Sequence, residues 1–212
     1  MLIYVMIVFL AYLLGSIPFG YLLVRVFRGE DVRTVGSGNI GATNVARKAP
    51  ALGLLTLLLD AAKGYAAVAL AFGISHSSWN RDNADPILLM STAALFAILG
   101  HVYPAWLRFK GGKGVATGVG AFLAVAPAAV AIVLVIFVVV VTASRYVSLA
   151  SITATAAFPL FAWLIYRYGA SPWFFAVTVA AAALIIVKHK DNIRRLLAGT
   201  EHRFELKRGA KA

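Results

Sequence analysis

Six stretches of this chain, 1–24, 51–74, 86–107, 115–143, 147–166 and 171–187, are almost wholly apolar. A helix needs about 20 such residues to cross a bilayer core of ~30 Å, and these runs have that length or come close to it. They are continuous rather than alternating, which excludes an outer-membrane barrel. Charged residues make up 13% of the chain, against about 25% in soluble domains. That shortage, with a mean hydropathy of +0.86, excludes a soluble globular enzyme and a disordered tail. The expected fold is an all-α polytopic membrane protein with a single domain over 1–212 and no internal repeat. Cysteine is absent, so disulfides, thiolate catalysis and Cys-ligated metals are excluded.

Lys and Arg number 20 against 8 Asp and Glu, a net charge of +12. On so apolar a chain this points to anionic lipid heads or anionic substrates. It does not point to nucleic acid, because the charges sit in short loops beside the spans. No Lys or Arg precedes Arg25, so the first run is read as a retained span, kinked at Gly15-Ser16-Ile17-Pro18. Basic residues mark the cytoplasmic side. Segment 25–50 carries five, 108–114 three and 188–212 eight, whereas 75–85 has Arg81 beside Asp82 and Asp85. The N-terminus is then outside and the C-terminus cytoplasmic. Six spans would leave the basic tail outside. If 115–143 turns back near Pro127 as two short limbs of about 12–14 residues, roughly 20 Å each, the count is about seven membrane helices and the tail is inside.

Three polar segments carry the chemistry. Segment 36–47 reads Gly-Ser-Gly-Asn-Ile-Gly-Ala-Thr-Asn-Val-Ala-Arg. Its G-x-G-x-x-G imitates a dinucleotide fingerprint, but a membrane helix rather than a strand precedes it. The small residues, Gly38 among them, still let backbone N–H groups approach an anion, and a helix starting near Gly41 would point its N-terminus there. Ser37, Asn39, Thr43 and Asn44 add uncharged donors, and Arg47 can grip a phosphate bidentately. A plain glycine-rich turn is the alternative. Segment 109–117 reads Phe-Lys-Gly-Gly-Lys-Gly-Val-Ala-Thr. Lys110, Gly111, Gly112 and Lys113 suggest an anion nest. They equally suit a basic turn touching lipid phosphates. Lys113 is followed by Gly, so a nucleotide-binding P-loop is not implied. Segment 188–201 places His189 and Asn192 three apart on one helix face, suited to a hydroxyl and its phosphate, within a charge run that otherwise reads as a solvated helix end.

Other polar residues are more ambiguous. His101 most simply holds a neighbouring helix. Asp60 and Lys63 are three apart within a span, so they neutralise one another or leave Lys63 facing substrate. Arg145, with Ser148, adds a phosphate contact or snorkels to the interface. Ligands for a metal are few and scattered.

Together these segments resemble the bacterial acyl-phosphate:glycerol-3-phosphate acyltransferase (PlsY) family. The motifs run in order: 36–47, Asp-Ala-Ala-Lys-Gly at 60–64, Gly-His-Val-Tyr-Pro at 100–104, 109–117, and His-Lys-Asp-Asn at 189–192 followed by Glu201. The resemblance implies a multi-pass enzyme of the bacterial cell inner membrane with seven helices and a cytoplasmic active site. It implies phospholipid biosynthesis: acyl transfer from acyl phosphate to the 1-hydroxyl of glycerol 3-phosphate, giving lysophosphatidate and inorganic phosphate. Its partners are those two substrates and membrane lipids, without nucleic acid, and no cofactor is called for. It places Ser37, Asn39, Arg47, Lys113, His189 and Asn192 around the substrates, with Glu201 holding the tail.

Acyl phosphate is already activated, so no covalent intermediate is required, and no His–Asp pair is visible to activate Ser37. The proton acceptor is His189 or a substrate phosphate. A membrane transporter of glycerol 3-phosphate or a similar anion is the main rival, weakened by the missing inverted repeat. The His-x-x-x-x-Asp signature of thioester-dependent acyltransferases is absent. The seven-helix topology predicts that a cysteine at position 168 labels from outside; labelling only from the cytoplasm overturns it.

Overall fold

The structure, a computed structural model, describes residues 2–80, 83–167 and 171–203. The charges of Arg81 and Asp82 and the labelling position 168 lie outside these. Ten α-helices occur among the described residues: α1 (Leu2–Ser16), α2 (Phe19–Arg28), α3 (Ala42–Ala46), α4 (Pro50–Ser75), α5 (Pro86–Val102), α6 (Val115–Val125), α7 (Pro127–Ser144), α8 (Val147–Tyr166), α9 (Pro172–Val187) and α10 (Lys190–Leu197). No strand occurs among them.

Length and hydropathy make five units able to cross a membrane: 2–28, α4, 86–107, α7 and α8. The first is broken at 17–18, where the kink was expected, because Pro18 offers no N–H to continue the ladder. α9 is apolar; α10, bent from it by 57°, carries Lys190, Asp191, Arg194 and Arg195. The stretch 115–143 departs from expectation. It is not two matched short limbs: α6 has 11 residues and α7 has 18. Pro127 opens α7 at its first turn, where a missing N–H costs nothing. So α7 is long enough to cross alone, and only α6 is short. α6 packs on α4 and α5, whereas α7 packs on α8. The short helix is therefore enclosed by protein, which lets its ends find partners away from lipid.

Lipid gives helices no hydrophobic reason to associate, so close backbone approach must do it. α4 and α6 meet through two glycines. A Cβ on Gly64 would strike the Thr117 carbonyl, and one on Gly120 would strike the Ala61 carbonyl. α1 and α5 meet likewise at Gly15 and Gly100, among the buried Ala11, Ala93, Ala94 and Ala97. The Tyr12 hydroxyl also donates to the Tyr103 carbonyl at 2.8 Å. A second, smaller apolar cluster of Val24, Val32, Ile40, Val45 and Leu107 lies under segment 36–47.

The fold predicts opposite signs for two alanines on α4. Gly64→Ala costs about 1–3 kcal/mol through overpacking. Gly73→Ala, where a Cβ meets nothing within 4 Å, gains up to about 1 kcal/mol of helix propensity. Thermal unfolding in detergent reads both, and equal shifts would refute the packing account.

Candidate active site

Segment 36–47 is shaped by Asn44. Its Nδ2 donates to the carbonyls of Asn39 (2.9 Å), Val35 (3.0 Å) and Val32 (3.2 Å), and its Oδ1 accepts from the Ser37 N–H (3.0 Å). The side chain is buried and its amide fully taken up, so Asn44 braces the loop from inside. Asn39 Oδ1 accepts from the Gly41 N–H at 2.8 Å. α3 is only five residues long and that N–H is occupied, so its N-terminus is a weak anion site. Ile40 and Val45 point down into the small apolar cluster. This leaves Ser37, Gly38, Thr43 and Arg47 exposed on the outer face.

The Lys-Gly-Gly-Lys loop is tied to the end of α5. The Gly111 N–H donates to the Val102 carbonyl (3.2 Å) and the Gly112 N–H to the His101 carbonyl (3.0 Å). A Cβ on Gly112 would strike the His101 ring. Two N–H groups of the expected nest are therefore spent on the tie. What the tie positions is Lys113; Lys110 is exposed at the loop's edge. His101 is buried, with Nδ1 3.5 Å from Asp60 Oδ1. Lys63 is buried too: Nζ lies 2.7 Å from Asp60 Oδ1 and donates to the Ile17 carbonyl at 2.7 Å. Both side chains belong to the interior support of the loops.

Lys113 turns toward α10. Its Nζ donates to Asn192 Oδ1 at 2.5 Å, Asn192 Nδ2 donates to Glu201 Oε1 at 2.7 Å, and Arg195 Nε donates to Glu201 Oε2 at 2.7 Å. Buried Ser148, at the start of α8, faces the same carboxylate without closing a hydrogen bond. Arg145 is the exposed left-handed cap of α7 just before it. Burial resists ionisation of Glu201, but hydrogen bonds from Asn192 and Arg195 outweigh it and hold the carboxyl below its ordinary value. Burial, then repulsion from Arg195 and Arg47 against the pull of Glu201, pushes the Lys113 ammonium down to about 8. His189 is buried one turn earlier, with Nδ1 2.8 Å from the Ile185 carbonyl. Burial and the charge of Lys113 push its imidazole down to about 4. At neutral pH it is uncharged. The Ile185 bond assigns the proton to Nδ1 and leaves Nε2 an acceptor.

Of the sequence-read residues, the structure brings together Arg47, Lys113, His189, Asn192, Glu201 and Ser148. Arg195 was missed, dismissed with the solvated charge run. Its spacing was the available signal: residues 189, 192 and 195 repeat every three, one face of a helix. The arrangement sets Lys113 and Arg195 at the two ends of the Asn192–Glu201 pair, with Arg47 in electrostatic reach of Lys113 and neutral hydrogen-bonding groups beside it.

The model of the glycerol-3-phosphate acyltransferase family matches residues 5–199. The chain is 46% identical over 196 residues to the glycerol-3-phosphate acyltransferase of Geobacter sulfurreducens, covering 92% of this chain and 94% of that one. It is 47% identical over 196 residues, with the same coverage, to that of Trichlorobacter lovleyi. A crystal structure of PlsY, an integral membrane glycerol 3-phosphate acyltransferase, in its glycerol 3-phosphate form superposes with a TM-score of 0.84. It is 40% identical, covering 95% of this chain and 96% of that one. The lysophosphatidic acid form gives a TM-score of 0.81 at 38% identity, covering 95% of each chain. This chain belongs to the glycerol-3-phosphate acyltransferase family.

Proposed function

We propose that the protein moves a fatty acyl group from acyl phosphate to the 1-hydroxyl of glycerol 3-phosphate, yielding lysophosphatidate and inorganic phosphate. The observation that carries this reading is the meeting of Arg47, Lys113 and Arg195 around the Asn192–Glu201 pair, a site for phosphate at the end of membrane helices. The solved relatives in glycerol 3-phosphate and lysophosphatidic acid forms support the acceptor and the product. The side chains support the donor. An acyl phosphate needs orientation and charge stabilisation but no covalent nucleophile, and among the described residues no base is built against exposed Ser37.

Arg47 and Lys113 hold the phosphates. Ser37, Gly38 and Thr43 face the carbonyl oxygen as its charge develops. The acceptor hydroxyl oxygen attacks the acyl carbon, the bond from that carbon to the phosphate oxygen breaks, and its electron pair leaves with phosphate. The hydroxyl proton goes to a phosphate oxygen. His189, titrating near 4, is too weak a base to keep it, and orients the hydroxyl through Nε2. Seven segments (α1 with α2, α4, α5, α6, α7, α8 and α9) put the N-terminus outside and the site on the cytoplasmic side of the inner membrane, with α6 the enclosed short one.

Purified protein in lipid, given synthetic acyl phosphate, is expected to release phosphate and form lysophosphatidate only when glycerol 3-phosphate is present. Glycerol 3-phosphate binding without turnover would replace this reading with transport. His189→Ala raises the apparent KM for glycerol 3-phosphate roughly five- to tenfold, the worth of about one hydrogen bond. Lost turnover at saturation with unchanged KM makes His189 the base instead. Lys113 is charged below its value of about 8 and loses its proton above it, so kcat/KM falls as pH rises through 8. Lys113→Arg removes that alkaline limb, and a limb that persists assigns it to another group.

A further inference from the structure

We propose that the turn over residues 105–110 is a wedge that selects anionic phospholipid heads at the membrane surface, separate from the substrate phosphates. The turn closes the span 86–107, so it sits at the level where hydrocarbon gives way to head groups. Trp106 and Phe109 are 62% and 60% exposed, while Leu107 between them is buried. Leu107 plugs into the apolar cluster with Val24, Val32, Ile40 and Val45, so the exposed rings are held out from a fixed root. Four backbone bonds close the turn: Leu107 and Phe109 N–H to the Pro104 carbonyl, Arg108 N–H to Ala105, and Lys110 N–H to Leu107. Arg108 and Phe109 both have left-handed backbones, at φ of 52° and 62°, a conformation disfavoured for such side chains. The fold accepts that strain and so presents two aromatic rings beside two cations on a rigid turn.

Arg108 and Lys110 are exposed and pair with no carboxylate among the described residues. The basic residues of neighbouring α2 are engaged: Arg25 with the Gly29 carbonyl and Arg28 with Glu30. Of the basic residues on α2 and this turn, Arg108 and Lys110 are the ones left facing outward without such a contact among the described residues, beside rings of the kind that settle at the head-group level. Charge complementarity names the occupant as a lipid phosphate in a net-negative head group. Because Leu107 roots the turn beneath segment 36–47 and Gly111 ties it to the Lys113 loop, an occupied wedge steadies both walls of the site.

The test uses the full chain with Trp79, Trp163 and Trp173 replaced by Phe, in nanodiscs of phosphatidylcholine containing phosphatidylglycerol. Bromine on the acyl chains of one lipid or the other quenches Trp106 on contact. Brominated phosphatidylglycerol is expected to quench more than brominated phosphatidylcholine. Arg108→Asn, which tolerates a left-handed backbone, cuts that preference about fivefold, the weight of one basic side chain at an anionic surface. Phe109→Ser weakens quenching by both lipids and serves as the second variant if the first misfolds. Equal quenching by the two lipids overturns the selectivity. Absence of quenching places the turn away from the membrane and overturns the wedge. Loss of the preference on adding inorganic phosphate assigns the cations to free phosphate and overturns the lipid assignment.

Discussion

A charge inside an apolar helix must carry its partner with it, and the Asp60–Lys63 pair on α4 is the point from which the interior is organised. An ionised group left alone in hydrocarbon is costly; here Lys63 and Asp60 are 2.7 Å apart and both are buried. The pair also does structural work at both ends. Lys63 donates to Ile17, whose carbonyl lies at the break before Pro18. That replaces part of what the proline removes from the first span. Asp60 lies 3.5 Å from His101, whose own carbonyl accepts the Gly112 N–H of the Lys-Gly-Gly-Lys loop. Removing one charge would leave the other unpaired, a loss of about 3–5 kcal/mol in buried pairs. It would also free the kink and the loop root together.

Small residues then decide how closely the rest can pack. The Gly64–Gly120 and Gly15–Gly100 crossings bring backbones into contact where side chains would only exchange lipid for leucine. Hence α4, the bearer of the ion pair, is held against α6, and α1 against α5; Gly114 precedes α6 and His101 ends α5 on the side of the site. Rigidity at the crossings becomes precision at Lys113.

The spans were legible in the sequence because the bilayer imposes a length, and the kink was legible because proline lacks an N–H. The path of 115–143 differs in its proportions: the apolar run suggests a turn centred near Pro127, whereas proline favours the first turn of a helix, so α7 begins there and runs to 18 residues. Polar residue types marked the site but not their direction. The Asn44 amide and the Asn39 side-chain oxygen are spent on backbone groups of their own loop, and Gly111 and Gly112 use their N–H groups to dock. Sequence spacing cannot tell a donor turned inward from one turned outward. Arg195 was overlooked for the converse reason: a basic side chain near a helix end is usually solvated, and its partner Glu201 lies beyond the end of α10, where periodicity no longer applies.

The identity of residue 192 explains how such a site keeps its charge. Lys113 must be held in one orientation, and a carboxylate would hold it well but would also cancel it. An amide holds it with a neutral oxygen. The amide must itself be kept from flipping, and Glu201 does this by accepting from Nδ2. Glu201 still pulls on Lys113 across this spacer, but its carboxylate is bound directly by Arg195, at 2.7 Å, and not by the lysine. The negative charge is thus set one residue back from the cation it orients, with Asn192 as a neutral spacer. Aspartate at 192 would reverse this logic. Its carboxylate would neutralise Lys113 on one side and face Glu201 on the other, two like charges within a few ångströms, each raising the cost of ionising its neighbour. The chain of Arg195, Glu201, Asn192 and Lys113 is therefore a means of fixing a cation in place beside Arg47 without a carboxylate bound to it.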